Sequence, residues 1–155
     1  MPKLTISDDE IEAFLSLKKT APISRFFESI REIDFSYEMS SGVIVHENGT
    51  QFYKKGVTVS LLCRASKKLN RNLYRFSLFL LKDGVRNRVY QLDTADYGLG
   101  MKSDHDWPHE HLGSKRFNLD ENFPNNFHAA LIHFCKKTNI EFEEEIKSPF
   151  ELTLK

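Results

Sequence analysis

The chain has 155 residues, of which 40% are hydrophobic and 28% charged, with 22 basic and 22 acidic side chains, two cysteines and 13 phenylalanines. That length suits a single domain over residues 1–155 with its own core, and the composition excludes a disordered chain. No run reaches the roughly 20 apolar residues of a membrane span, and the N-terminus lacks the apolar stretch of a signal peptide, so a cytoplasmic protein without membrane association is expected.

Ser7-Asp8-Asp9-Glu10 reads as a capping box, with serine at the cap and glutamate three residues on. Ile11, Phe14 and Leu15 then recur at helical spacing and predict a first helix over roughly residues 8–19. Pro22 opens a second stretch with Phe26, Ile30 and Ile33 on one face, which predicts a second N-terminal helix.

From about residue 35 the period shifts to that of strands. Val43-Ile44-Val45 runs into Glu47-Asn48-Gly49-Thr50, and Asn-Gly between strand-like runs signals a hairpin. Val57, Val59, Leu61 and Cys63 alternate with Thr58, Ser60, Leu62 and Arg64. The run Leu73–Leu81 reads as a central strand that turns through Lys82-Asp83-Gly84 into a strand over Val85–Leu92.

The stretch 93–122 is polar and irregular apart from a short strand near His109–Leu112. A helix over roughly 125–138 buries Phe127, Leu131, Phe134 and Cys135 and stops at Asn139. Ile140-Glu141-Phe142 and residues 150–154 read as further strands. The expected fold class is therefore α+β: an antiparallel sheet meander with two N-terminal helices and one C-terminal helix packed on it.

Net neutrality hides a segregation of charge. Residues 53–91 carry ten basic side chains against the single acid Asp83, while both flanks are acidic. Two readings fit: basic strands neutralising acidic helices within the fold, or a face that binds polyanions. Rings are interleaved with these cations (Tyr53, Tyr74, Tyr90), a pattern that suits single-stranded nucleic acid and equally the wet face of an antiparallel sheet. Lys67, Lys68, Arg75, Arg86 and Arg88 are the candidate binding residues on the second reading.

The densest polar constellation is Ser103-Asp104-His105-Asp106-Trp107-Pro108-His109-Glu110-His111. In an extended chain His109 and His111 share a face. With His105 they form a candidate acid–base set, because imidazole exchanges protons near neutral pH. The same pair could ligate a divalent metal, but the spacing matches no established zinc signature, so neither metal nor cofactor is expected. A solvated loop is the third reading. Trp107, held extended by Pro108, either stacks on a base or plugs the loop into the core. His46 beside the Asn-Gly turn reads as solvent-exposed, His128 and His133 as surface or boundary positions, and Cys63 and Cys135 as buried free thiols.

Residues 73–112 run in order through the strand Tyr74-Arg75-Phe76-Ser77-Leu78, a turn, the strand Arg88-Val89-Tyr90-Gln91-Leu92-Asp93, a polar loop and Pro108-His109-Glu110-His111. This order resembles the TumE-like toxins and related small prokaryotic families. The resemblance implies a role in bacterial or phage conflict, with Arg75, Arg88, Asp93, His109 and His111 as the positions of interest.

Two functions follow as expectations. One is a small prokaryotic or phage binding or inhibitory module that meets a protein or nucleic-acid partner through a charged face. The other is a toxin-like enzyme acting on RNA or nucleotides through histidine acid–base residues. Oligomeric state is left open.

Overall fold

The computed structural model describes residues 4–21, 31–33, 36–47, 50–66, 71–95, 108–119, 126–143 and 145–148. Helix α1 spans Asp8–Ser16 and is followed at once by strand β1, Lys18–Ala21. Strands β2 (Arg31–Ile33), β3 (Ser36–Glu47), β4 (Thr50–Ser66), β5 (Arg71–Lys82), β6 (Val85–Ala95), β7 (His109–Leu112) and β8 (Lys115–Asn118) come next. Helix α2 (Phe127–Thr138) and strand β9 (Ile140–Phe142) complete the described elements; residues 150–154, expected as a further strand, lie outside the described residues.

The expected α+β class holds, with a correction at the N-terminus and another in the sheet, which is mixed rather than wholly antiparallel because β1 and β9 pair in parallel. Among the described residues there is one N-terminal helix, not two, and Arg31–Ile33 pairs antiparallel with Ser36–Glu38. Residues 22–30, the body of the expected second helix, lie outside the described residues. The first helix is also shorter than expected. Leu17 turns extended, and Lys18–Ala21 pairs with β3 on one side and β9 on the other. Two ladders of interstrand hydrogen bonds outweigh the last turn of a short helix.

The capping box forms as its spacing predicts. Ser7 Oγ accepts from the Glu10 amide at 3.2 Å, and Glu10 Oε1 accepts from the Ser7 amide at 3.2 Å. Glu10 also reaches across to Lys82 at the end of β5, and Asp8 pairs with Lys115 at 3.2 Å. Part of the segregated charge is thus neutralised within the fold.

The strands run β8-β7-β6-β5-β4-β3-β1-β9 across one sheet, with β2 paired to β3. From β3 to β8 every neighbour is the next strand in sequence and antiparallel, which is a meander. The β3–β4 ladder closes on Glu47↔Thr50; Asn48 and Gly49 between them lie outside the described residues. At the β5–β6 turn Asp83 and Gly84 both take positive φ, 53° and 73°, the type I′ geometry whose twist matches that of the flanking strands.

Alternation along the strands sorts side chains to two faces. Val57, Val59, Leu61, Cys63, Tyr74, Phe76, Leu78, Tyr90 and Leu92 form the inner face and are all buried. Helix α2 covers it: Phe127 packs edge-on to Tyr74 and Phe76, and Phe134 packs on Phe76 and Tyr90 at about 6 Å between rings. Such ring pairs add about 0.5–1.5 kcal/mol each beyond the area they bury. Asn126 caps the helix by accepting from the Ala129 amide at 2.8 Å, and Asn139 ends it in the left-handed conformation at φ 56°.

Lys19 ties the helices together. Fully buried, its Nζ donates to the carbonyls of Leu17 and Thr138, each at 2.7 Å, and to that of Leu15 at 3.3 Å. These lie at the C-terminal ends of α1 and α2, where carbonyls lack helical partners and a cation is favoured. Burial nevertheless pulls the ammonium down to about 7. Phe134 meets β6, while Thr138, one turn on, meets β1, four strands further along the sheet. The sheet therefore curls around α2.

Candidate functional site

The opposite, outer face of the sheet carries the polar residues of the central strands. Register fixes two cross-strand rows on it. One runs Ser60, Ser77, Gln91, His111, Arg116, and the next runs Leu62, Arg75, Asp93, His109, Asn118. Residues two apart on a strand share a face. So the sequence Gln91-Leu92-Asp93 on β6 and His109-Glu110-His111 on β7 bring two polar pairs side by side.

Asp93 is the hub. Its Oδ1 accepts from Arg75 Nε at 2.8 Å, and its Oδ2 accepts from Gln91 Nε2 at 2.9 Å and from His109 Nε2 at 3.0 Å. His111 Nε2 lies 3.6 Å from the same oxygen. Gln91 is itself fixed, since Ser77 Oγ donates to its Oε1 at 3.0 Å. Asp93, His109 and His111 side chains are only 14%, 11% and 16% exposed. Burial alone would raise the Asp93 carboxyl, but the donors from His109, Arg75 and Gln91 outweigh it and hold the group far below the ordinary range. Asp93 is an anion at any physiological pH.

A carboxylate only accepts, so the proton between Asp93 and His109 sits on Nε2, and a neutral His109 ring carries its lone pair on Nδ1. His111 is held differently. Arg88 Nη2 lies 3.2 Å from its Nδ1. Burial first, and the Arg88 charge second, press its pKa down to about 4, so the ring is neutral near pH 7. The two rings meet edge-on with centroids 5.0 Å apart.

Arg88 has a buried Nε with no hydrogen-bond partner among the described residues. An orphaned buried N–H is costly, and on a permanent cation it presents an unmet demand for an acceptor. Arg86 lies on the same face, stacked over Phe79 at 3.8 Å from the ring centroid. Arg64 and Arg116 are exposed on that face as well.

Behind the histidines, on the inner face, Glu110 anchors β7 to α2. It accepts the Tyr90 hydroxyl and lies 3.1 Å from His133 Nε2 and 3.8 Å from Lys137 Nζ. These donors keep its carboxyl low against the raising effect of burial. Tyr90 is pushed far upward by burial and by that carboxylate, and stays a neutral donor.

Of the sequence-derived candidates, Arg75, Arg88, His109 and His111 come together around Asp93, and Arg86 stands nearby on the same face. His105, Trp107, Lys67 and Lys68 lie outside the described residues. Gln91 and Ser77 carry no site role in the sequence, and neither does Glu110 as the partner of Tyr90 and His133; their sequence signals are the two-residue offset from Asp93 and the position between the histidines. His46, read as solvent-exposed, hydrogen-bonds to Thr20 Oγ1 at 2.7 Å. Cys63 is buried and Cys135 half-buried, both as free thiols.

Asp93, His109 and His111 offer three donor atoms that lie within 4.8 Å of one another. A largely apolar cavity of about 320 Å³ beside α2, lined chiefly by Leu131, Ile132, Cys135, Phe142 and Ile146, shares no residue with this cluster. Among the described residues no helix is long and apolar enough to cross a membrane. No protein-family model matches the chain, and no curated protein or solved structure shows a significant similarity to it.

Proposed function

We propose that this protein is a toxin-like enzyme acting on RNA or nucleotides, with the outer face of β5–β7 as its acid–base centre. The observation that carries the reading is the Asp93–His109 hydrogen bond flanked by Arg75 and Arg88. A carboxylate that orients an imidazole and stabilises its cation makes the ring an effective proton acceptor. Guanidinium groups beside it match the geometry of phosphate oxygens.

On RNA the chemistry assigns itself. His109 takes the proton of a ribose 2′-hydroxyl as that oxygen bonds to phosphorus. The bond from phosphorus to the 5′ oxygen breaks, and the proton passes from the imidazolium to the departing oxygen. Arg75 and Arg88 bind the non-bridging oxygens through their guanidinium groups, as negative charge grows there in the transition state. His111, neutral with its proton on Nε2, donates rather than accepts.

The test incubates purified protein with a labelled RNA, beside His109→Ala and Asp93→Asn. Cleavage by the wild type that falls at least a hundredfold in either variant is expected. Equal cleavage by all three, or none by any, removes the reading.

One observation favours a second reading, that of a binding or inhibitory module. Arg64, Arg86 and Arg116 extend the cationic face beyond the His–Asp cluster and are all exposed. Such a face binds an anionic partner with an affinity that falls steeply as salt rises. RNA binding of that kind without cleavage selects it.

A further inference from the structure

One carboxylate and two imidazoles within 4.8 Å of one another form a donor set suited to zinc, nickel or iron. Whether the set can take a metal depends on what stands behind each ring. An imidazole that coordinates through Nε2 carries its proton on Nδ1 and must find an acceptor there. Behind His111 stands Arg88, with Nη2 3.2 Å from Nδ1. A guanidinium has five N–H donors, no acceptor, and a charge it does not lose.

His111 must therefore accept at Nδ1 and carry its proton on Nε2, the nitrogen turned toward Asp93 at 3.6 Å. Coordination through Nε2 would displace that proton to Nδ1 and set two donors against each other. Coordination through Nδ1 would require Arg88 to leave. In either case a dication would also sit beside the fixed charges of Arg88 and Arg75, the latter 2.8 Å from the Asp93 carboxylate.

We propose that Arg88 is a specificity-determining residue that locks the His111 tautomer and closes the Asp93–His109–His111 donor set to divalent metal, reserving it for proton chemistry. Removing the guanidinium opens the set to zinc. This deepens the acid–base reading of the same cluster and rests on it for the purpose served. Its test reads metal and ring protons, so loss of RNA cleavage would sink that reading and leave this one standing.

The experiment titrates the full chain with zinc chloride in a non-chelating buffer near pH 7.5, as wild type, Arg88→Met and the double variant Arg88→Met/His111→Ala. The wild type is expected to bind no stoichiometric zinc at micromolar concentration. Arg88→Met is expected to take one ion at least about tenfold more tightly, the scale on which groups behind a ligand act, and the double variant to lose it. Stoichiometric, His111-dependent binding by the wild type overturns the proposal. So does a folded Arg88→Met that binds no better than wild type.

Long-range proton–nitrogen NMR on the wild type needs no variant to fold. A proton on His111 Nε2 is expected, and a proton on Nδ1 overturns the proposal.

Discussion

Glu110 on β7 accepts from His133 on α2 across 3.1 Å on the inner face of the sheet, while its neighbours His109 and His111 project from the outer face. A four-residue strand near the sheet edge, followed among the described strands by β8 alone, has few ladder bonds of its own. The carboxylate between the histidines fastens it to the helix and, through Tyr90, to the next strand. The position of the rings is thus set from behind, by contacts with the core.

Glu110→Ala removes the acceptor of a buried tyrosine hydroxyl. Orphaning such a donor costs about 1–3 kcal/mol, which for a chain of this size lowers the melting temperature by roughly 2–4 °C per kcal/mol. Thermal unfolding followed by circular dichroism measures this. RNA cleavage, where the wild type shows it, falls further than the stability loss explains, because β7 loses its alignment.

Asp93→Asn keeps the shape and removes the charge that Arg75 and His109 address. The sign of its pH dependence follows from the depressed carboxyl. The native state resists protonation that the unfolded chain accepts near pH 4, so Asp93 stabilises above that value and the contribution drains away as pH falls below it. Acid unfolding of Asp93→Asn should therefore be less steep than that of the wild type; parallel curves would show that the carboxylate carries no such linkage.

His111 should titrate near pH 4 in ring NMR, against about 6.5 for an ordinary imidazole. Between those values the unfolded chain binds the extra proton, so stability rises with pH across the window from about 4 to 6.5. Arg88→Met lifts one of the two main causes and should move the midpoint upward, with burial keeping it below the ordinary value.

Lys19→Met leaves the carbonyls of Leu17 and Thr138 without their shared donor and should cost about 2–3 kcal/mol. In the wild type the unfolded lysine stays protonated to about pH 10.5 while the folded one releases its proton near 7. Stability attributable to this residue therefore rises from pH 7 to 10.5. Urea unfolding at pH 7 and 9 should show the gain in the wild type and not in the variant.

Gly113→Ala places a methyl group 2.6 Å from Ile11 Cδ1 at a position with φ 61°. The buried Ile11 side chain must shift to make room, and the left-handed backbone is strained for any residue with a Cβ. A loss of about 1–3 kcal/mol in chemical denaturation is expected, with a weakened β7 as its local form.

Local chemistry determined much of this protein from the sequence by itself. The capping box at Ser7 and Glu10, the turn at Asp83-Gly84, the strand His109–Leu112 and the helix ending at Asn139 all sit where short-range spacing put them. Each depends on hydrogen bonds and dihedral preferences among residues close together in the chain. The same kind of reasoning failed at the N-terminus, where apolar residues at Ile30 and Ile33 suit a helix and a strand alike, and pairing of Arg31–Ile33 with β3 decided for the strand.

The cluster needed the tertiary structure, because its members are joined by register. Arg75, Asp93 and His109 are consecutive along one cross-strand row, yet the chain separates them by loops and turns. A shift of one residue would send any of them to the inner face. The sequence named both histidines and the arginines as candidates and marked Asp93 through the resemblance. Only the folded sheet decided that Asp93 is their hub, that Arg88 stands behind His111, and that Glu110 faces the other way to hold the strand.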